Sequence, residues 1–383
     1  MKRWGLAVFF YALGITGIGA AALPGGSQTP KVAAVAAAPT TSAAEPPATV
    51  DESAYDAKML ALANIRPQTG CAQATTVASA KAELAADSRP AAAVTPTTAI
   101  RGRAVRRPCP KALWPVHAAY PDAGALLPFK RVVAYYGNYY SPRMGILGEY
   151  PPDKVVDLLK AQADDYAKAD PTTPVVLALD YIVVAAQAAP GRAGKYIMRM
   201  PQAQIEKAIN MAEQIQGLLF LDVQPGWSTV ETELPLLASY LKLPNVDLAL
   251  DPEFALIGGR RPGAWRGTMN AAEINYAARF LAKIVQENHL PPKILVVHRF
   301  TQRMVTDYRA IKPLPEVEIV MDMDGFGSPS LKHSAYRDFI ANQPVQFTGF
   351  KLFYKNDVKW GGRVMTPAEV LRLSPQPIYI LYQ

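Results

Sequence analysis

From Arg131 onward the sequence repeats one pattern, a short unbroken apolar run followed by a longer stretch with helical spacing. The runs are Val132–Tyr136, Val175–Leu179, Leu218–Leu221, Val246–Leu250, Ile294–Val297, Glu318–Met321, Phe347–Phe353 and Ile378–Leu381. Continuous runs, unlike alternating ones, are what parallel strands buried on both faces require. Between them the spacing predicts helices over 153–168, 202–216, 229–242, 271–288, 302–310, 333–341 and 367–373. Ser228-x-x-Glu231, Asn270-x-x-Glu273 and Thr366-x-x-Glu369 each set a capping residue three before a Glu, the last with Pro367 at the first helical position. Alternation of this kind, eight times over, predicts an α/β fold, a (β/α)8 TIM barrel. The eighth run ends two residues before the last residue, Gln383, so the barrel is expected to lack its last outer helix. Part of 51–130 is expected to pack over the gap. The rival architecture, an open doubly wound sheet, calls for a glycine-rich turn after the first strand, and Tyr135-Tyr136-Gly137-Asn138 has no GxGxxG.

The residues before the barrel divide into three. Residues 1–23 read as a signal peptide or anchor, with Lys2 and Arg3 ahead of an apolar stretch and Ala20-Ala21-Ala22 as small residues of cleavage type. That stretch is also long enough to span a bilayer if uncut. Residues 24–50 form an Ala/Pro/Thr-rich linker expected to be disordered. Residues 51–130 read as a partly ordered extension, and the barrel takes 131–383. The only cysteines, Cys71 and Cys109, are expected to form a disulfide there, as suits an exported protein. The localisation expected is therefore extracellular, periplasmic or cell-surface, with membrane contact only through an uncleaved N-terminal segment.

Composition excludes two classes. With 50% hydrophobic and 19% charged residues the chain is neither wholly disordered nor a coiled coil. The net charge of +8 would suit nucleic acid, but residues 1–130 hold 13 Lys+Arg against 7 Asp+Glu, and the remainder 27 against 25. A near-neutral barrel argues against a nucleic-acid partner.

In a barrel the chemistry sits where strands end. Here the ends turn polar: Tyr136, Asp180, Asp222 with Gln224, Asp251 with Glu253, His298 with Arg299, Asp322 with Asp324, and Lys351 to Tyr354. Asp251 and Glu253, two apart on a strand, should face the mouth together. Neighbouring carboxyls push one pKa upward and leave a proton donor beside an ionised partner, the pairing that acid catalysis at a glycosidic oxygen needs. Asp322 and Asp324 repeat the spacing. Loop aromatics Trp227, Trp265 and Trp360, with Tyr354, offer flat faces for sugar rings. Arg299 either clamps an anionic group or neutralises Asp251 or Asp322. Asp322, Asp324 and His298 offer donors for a divalent ion, but histidines are few; no metal and no cofactor are expected.

Asp251-Pro252-Glu253 at the end of strand 4 of an exported barrel resembles the glycoside-hydrolase superfamily, and within it the chitinase-like and lysozyme-like families with D-x-E on that strand. The resemblance implies Glu253 as proton donor and Asp251 as its helper. The longer pattern D-x-x-D-x-D-x-E would need Asp at 246 and 249, where this chain has Val246 and Ala249. His298-Arg299-Phe300 and Gly349-Phe350-Lys351 also resemble segments of a family of exported bacterial barrels, a likeness that implies no activity.

The expectation is therefore an exported, monomeric glycoside-hydrolase-like protein acting on an envelope or extracellular polysaccharide or oligosaccharide. Glu253, Asp251, Asp222, Asp322 and Asp324 are the catalytic candidates. Tyr136, Asp180, Gln224, Trp227, Trp265, His298, Arg299, Lys351, Tyr354 and Trp360 are the substrate-binding candidates. The alternatives are a non-catalytic surface glycan-binding barrel and a lyase with Lys351 as Schiff base.

Overall fold

The protein is seen here as a computed structural model that describes residues 50–65, 112–256 and 259–383. The signal or anchor, all but the last residue of the linker, and both cysteines lie outside the described residues, and so does the expected disulfide.

Eight strands run parallel: β1 Arg131–Gly137, β2 Val175–Ala186, β3 Leu218–Val223, β4 Val246–Leu250, β5 Lys293–Arg299, β6 Val317–Met323, β7 Phe347–Leu352 and β8 Tyr379–Tyr382. Each pairs with the next, and β8 returns to β1, with Val132 to Tyr135 in register against Tyr379 to Tyr382. The sheet is thus a closed (β/α)8 barrel. Each apolar run of the sequence marks one of its strands, with only Phe353 and Ile378 falling one residue outside.

The helices follow the same reading. They are α1 Glu52–Ala63, α2 Pro152–Ala169, α3 Gln202–Gln214, α4 Val230–Leu241, α5 Ala271–Asn288, α6 Pro329–Tyr336 with a π turn continuing to Ala341, and the single turn α7 Pro367–Val370. Asn270 with Glu273, and Thr366 with Glu369, form complete capping boxes. The cap of α4 falls one residue later than expected. Thr229, not Ser228, accepts from Thr232 N, while the Ser228 hydroxyl donates to buried Glu233, which also binds Arg199 at 2.7 Å.

Residues 302–310 form no α-helix, only a 3₁₀ turn at Tyr308–Ala310. The Arg299 guanidinium turns outward and takes the carbonyls of Thr301 and Gln302, Asp307 sits at φ 56°, and Val305–Thr306 bridges to Met269–Asn270. A backbone whose carbonyls are claimed by a buried cation, and which then turns left-handed, cannot propagate a helix.

The outer face of β8 is sealed by tyrosines. Tyr382 bonds Tyr166 of α2 at 3.1 Å and stacks on Tyr354, whose hydroxyl reaches Tyr135 and donates to Gln162. Helix α1 attaches beside this seam: Gln376 N donates to the Leu62 carbonyl and Asn64 Nδ2 to that of Leu373. The opposite end of the barrel from the mouth is closed by Leu127, fully buried, with the amides of Leu126 and Leu127 both donating to Glu318.

Candidate active site

Alternation along the strands decides what enters the barrel. Ala134, Ala178, Ala249 and Gly349 give small interior positions, and the polar residues come in the layer above them. Gly349 is needed: a Cβ there would stand 2.6 Å from Asp322 Oδ1 and 3.1 Å from the Tyr379 ring. Its absence lets β6 and β7 present Asp322 and Lys351 side by side.

His298 is the centre of this layer. Its Nδ1 lies 3.0 Å from Asp322 Oδ2, in register on the neighbouring strand, and its Nε2 lies 3.2 Å from Asp222 and 3.7 Å from Asp180. The Tyr379 hydroxyl donates to Asp180 Oδ2 at 2.8 Å. All five groups are buried from solvent. Burial holds the carboxyls of Asp222 (about 6) and Asp322 above the usual range, against the pull of His298. Burial opposes a charge on His298 too, but the three carboxylates outweigh it and raise its pKa well above the ordinary value.

Towards solvent comes a second group. Lys351 Nζ lies 3.1 Å from Asp324 and 3.6 Å from the centre of the Tyr136 ring, a buried cation on an aromatic face. Burial acts against its charge, yet Asp324, Asp251 and Asp322 together raise its pKa. Tyr136 is held by Gln224, which donates to its hydroxyl at 3.1 Å and accepts from Ala186 N.

The D-x-E pair departs from its expected geometry. β4 ends at Leu250, and Pro252–Phe254 form a 3₁₀ turn whose first free amide, Glu253 N, is capped by Asp251 Oδ1 at 3.2 Å. The two side chains therefore do not lie on one strand face. Asp251 points into the buried layer, where burial and then Asp222, Asp324 and Glu253 push its carboxyl well up. Glu253 stands at the rim with 31% of its side chain exposed and Arg266 at 4.0 Å. Its pKa is raised to about 7, by burial first and then by Asp324, while Arg266 and Lys351 pull it down. The surface still open to water tempers that rise.

A cleft of about 420 Å³ lies beside this rim, lined by Ser228, Thr229, Arg260, Arg266, Asn270 and Glu273 among others. It adjoins Glu253 through Arg266 and does not open onto the buried carboxylates. Trp265 is exposed near it, with the Arg260 guanidinium 4.2 Å from its ring.

The structure thus brings together Tyr136, Asp180, Asp222, Gln224, Asp251, Glu253, His298, Asp322, Asp324 and Lys351. It separates three others. Arg299 points out of the barrel and neutralises neither Asp251 nor Asp322. Tyr354 belongs to the tyrosine seal, and Trp227 packs on Tyr196 with its indole N–H donating to the Arg260 carbonyl. The Trp360 side chain lies outside the described atoms. Tyr379 and Arg266 join the site without a sequence signal: Tyr379 reaches it from the start of a strand, not its end, and Arg266 is one loop cation among many.

No protein-family model matches the sequence, and no curated protein matches it. Among solved structures the chain is similar to a cellulase, Cel5C_n, at 11% identity over 66% of this chain and 75% of that one, TM-score 0.39. It is also similar to a trimodular GH5_4 subfamily endoglucanase at 8% identity, over 67% of this chain and 56% of that one, TM-score 0.40. A GH18 chitinase from Pseudoalteromonas aurantia matches at 10% identity over 66% of this chain and 93% of that one, TM-score 0.31. Likeness at this level adds nothing to what the strand order already establishes.

Proposed function

We propose that the chain is an exported glycoside hydrolase of envelope or extracellular polysaccharide, with Glu253 as the general acid. One observation carries the reading. Glu253 is the mouth carboxyl that both meets solvent and is raised to about 7, so that it holds a proton near neutrality beside the ionisable Asp324. Protonation of a glycosidic oxygen needs such a group in reach of substrate, and a second carboxylate as nucleophile or base. Asp324 is the candidate for that second role, with Asp251 as a buried stabiliser behind Glu253. The exposed Trp265 and the cleft along Arg260 and Arg266 supply an aromatic face and cations for a sugar chain, with acidic sugars favoured over neutral ones.

The Schiff-base alternative is disfavoured by the state of Lys351. A lysine that forms an imine must shed its proton, whereas here the surrounding carboxylates raise its pKa.

The test is reducing-end release from a panel of bacterial-envelope and acidic polysaccharides, wild type against Glu253→Gln. Release that falls by about 10²–10⁴ in the variant supports the assignment. Equal release from both moves the acid elsewhere. Retention of one glycan by the folded protein, with no release from any, replaces the enzyme with a binding protein.

A further inference from the structure

The buried layer beneath Glu253 holds more carboxyl groups than the glycosidase reading uses. Asp180, Asp222, Asp251, Asp322 and Asp324 are all buried, and the basic groups in direct contact with them are Lys351 and the His298 imidazole. Lys351 is engaged by Asp324. Charges this deep need a partner of opposite sign.

The unfilled demand is local. Asp180 Oδ1, both oxygens of Asp222, and His298 Nε2 are buried without a hydrogen-bond partner among the described residues. They converge: ligand atoms of Asp180, Asp222 and His298 all lie within 4.8 Å of one another. Asp322 holds Nδ1 at 3.0 Å and so fixes the ring with Nε2 turned towards Asp222 and Asp180.

The geometry points to a divalent-cation site formed by Asp180, Asp222 and His298, with Asp322 as the positioning residue behind the histidine. Neighbouring donors on an ion with bonds of about 2.0–2.2 Å lie about 3.0–3.5 Å apart. The contact from His298 to Asp222, 3.2 Å, falls inside that range, and that to Asp180, 3.7 Å, just beyond it. One imidazole with two carboxylates suits Zn²⁺ or Mn²⁺ better than Mg²⁺ or Ca²⁺, which take oxygen donors alone. Tyr379 anchors Asp180 through Oδ2, the oxygen that lies 3.7 Å from Nε2, while Oδ1 has no partner among the described residues. This assignment does not depend on the glycosidase reading, and its readout is binding, not turnover.

The experiment is calorimetric titration of the chelator-stripped full chain with Zn²⁺ and with Mn²⁺, followed by NMR of the histidine ring nitrogens. One ion per chain is expected, raising Tm, with the Nε2 signal of His298 alone shifting among the four histidines. Asp222→Asn and His298→Gln abolish that binding, Asp322→Asn weakens it about 10–100-fold, and Glu253→Gln leaves it at the wild-type value. Should the ligand variants fail to fold, Co²⁺ added to the wild type gives a d–d absorption band that one equivalent of Zn²⁺ removes. A folded wild type that takes up neither ion and keeps both His298 nitrogens protonated overturns the site. So does binding that survives Asp222→Asn and His298→Gln unchanged, since the ion then sits elsewhere.

Discussion

Glu253 and Asp251 are two residues apart, and their surroundings give them different work. Asp251 is capped into its turn and buried, so it cannot reach a substrate oxygen without leaving Glu253 N unpaired. Glu253 keeps water on one side and a cation on the other. If it is the acid, it acts only while protonated, so kcat/KM falls as pH rises through about 7, tenfold per pH unit well above it. Arg266 favours the ionised form, and removing it lets the pKa climb. Arg266→Ala therefore shifts the basic limb of the pH profile to higher pH, by a fraction of a unit because the pair is 4.0 Å apart and solvated. A limb that moves downward in that variant would show that another group sets it. Nothing comparable is expected of Arg299→Ala, whose side chain faces away from the mouth.

The elements show which physics a sequence displays and which it conceals. Strands buried on both faces write themselves as unbroken apolar runs, and capping boxes such as Asn270 with Glu273 are local chemistry, so both were legible. The same continuity hides the phase of a strand. Nothing in Ile-Leu-Val-Val-His-Arg says that His298 points in and Arg299 out; the register of His298 against Asp322 decides it. Long-range packing is equally silent, which is why Tyr354 reads as a sugar platform and proves to be part of a seal against α2. Glu253 reads from the sequence as a strand-end residue paired with Asp251, whereas a 3₁₀ turn and not strand spacing carries it to the rim. Gly349 shows how tightly two strands constrain the site. Gly349→Ala must displace Asp322 or Tyr379, and overpacking of this kind costs about 1–3 kcal/mol. Denaturant unfolding measures that loss, and a variant as stable as the wild type would mean that Asp322 has another resting place.

Across the whole molecule, ionisable groups are buried at both ends of the barrel, and the two ends respond to pH for different reasons. At the closed end Glu318 accepts the amides of Leu126 and Leu127 in full burial, and its pKa is pushed up to about 8, by burial first and against the pull of those amides. In the unfolded chain it titrates near the ordinary 4.5. Between those values the folded state keeps a proton that the unfolded state has lost, so stability falls as pH rises and the loss is complete above about 8. For a group this buried the total is a few kcal/mol, on the order of 10 °C in Tm for a domain of this size. Asp247, raised to about 6 by burial, adds a smaller fall of the same sign at lower pH. Glu318→Gln removes the titration but keeps one acceptor for the amides, losing about 1 kcal/mol of hydrogen bonding. Its Tm is therefore expected below that of the wild type at pH 5, with a shallower decline, so that the two curves close on each other towards pH 8. Parallel curves across that range would place the titration elsewhere and leave Leu126 and Leu127 bound to an ionised Glu318 throughout.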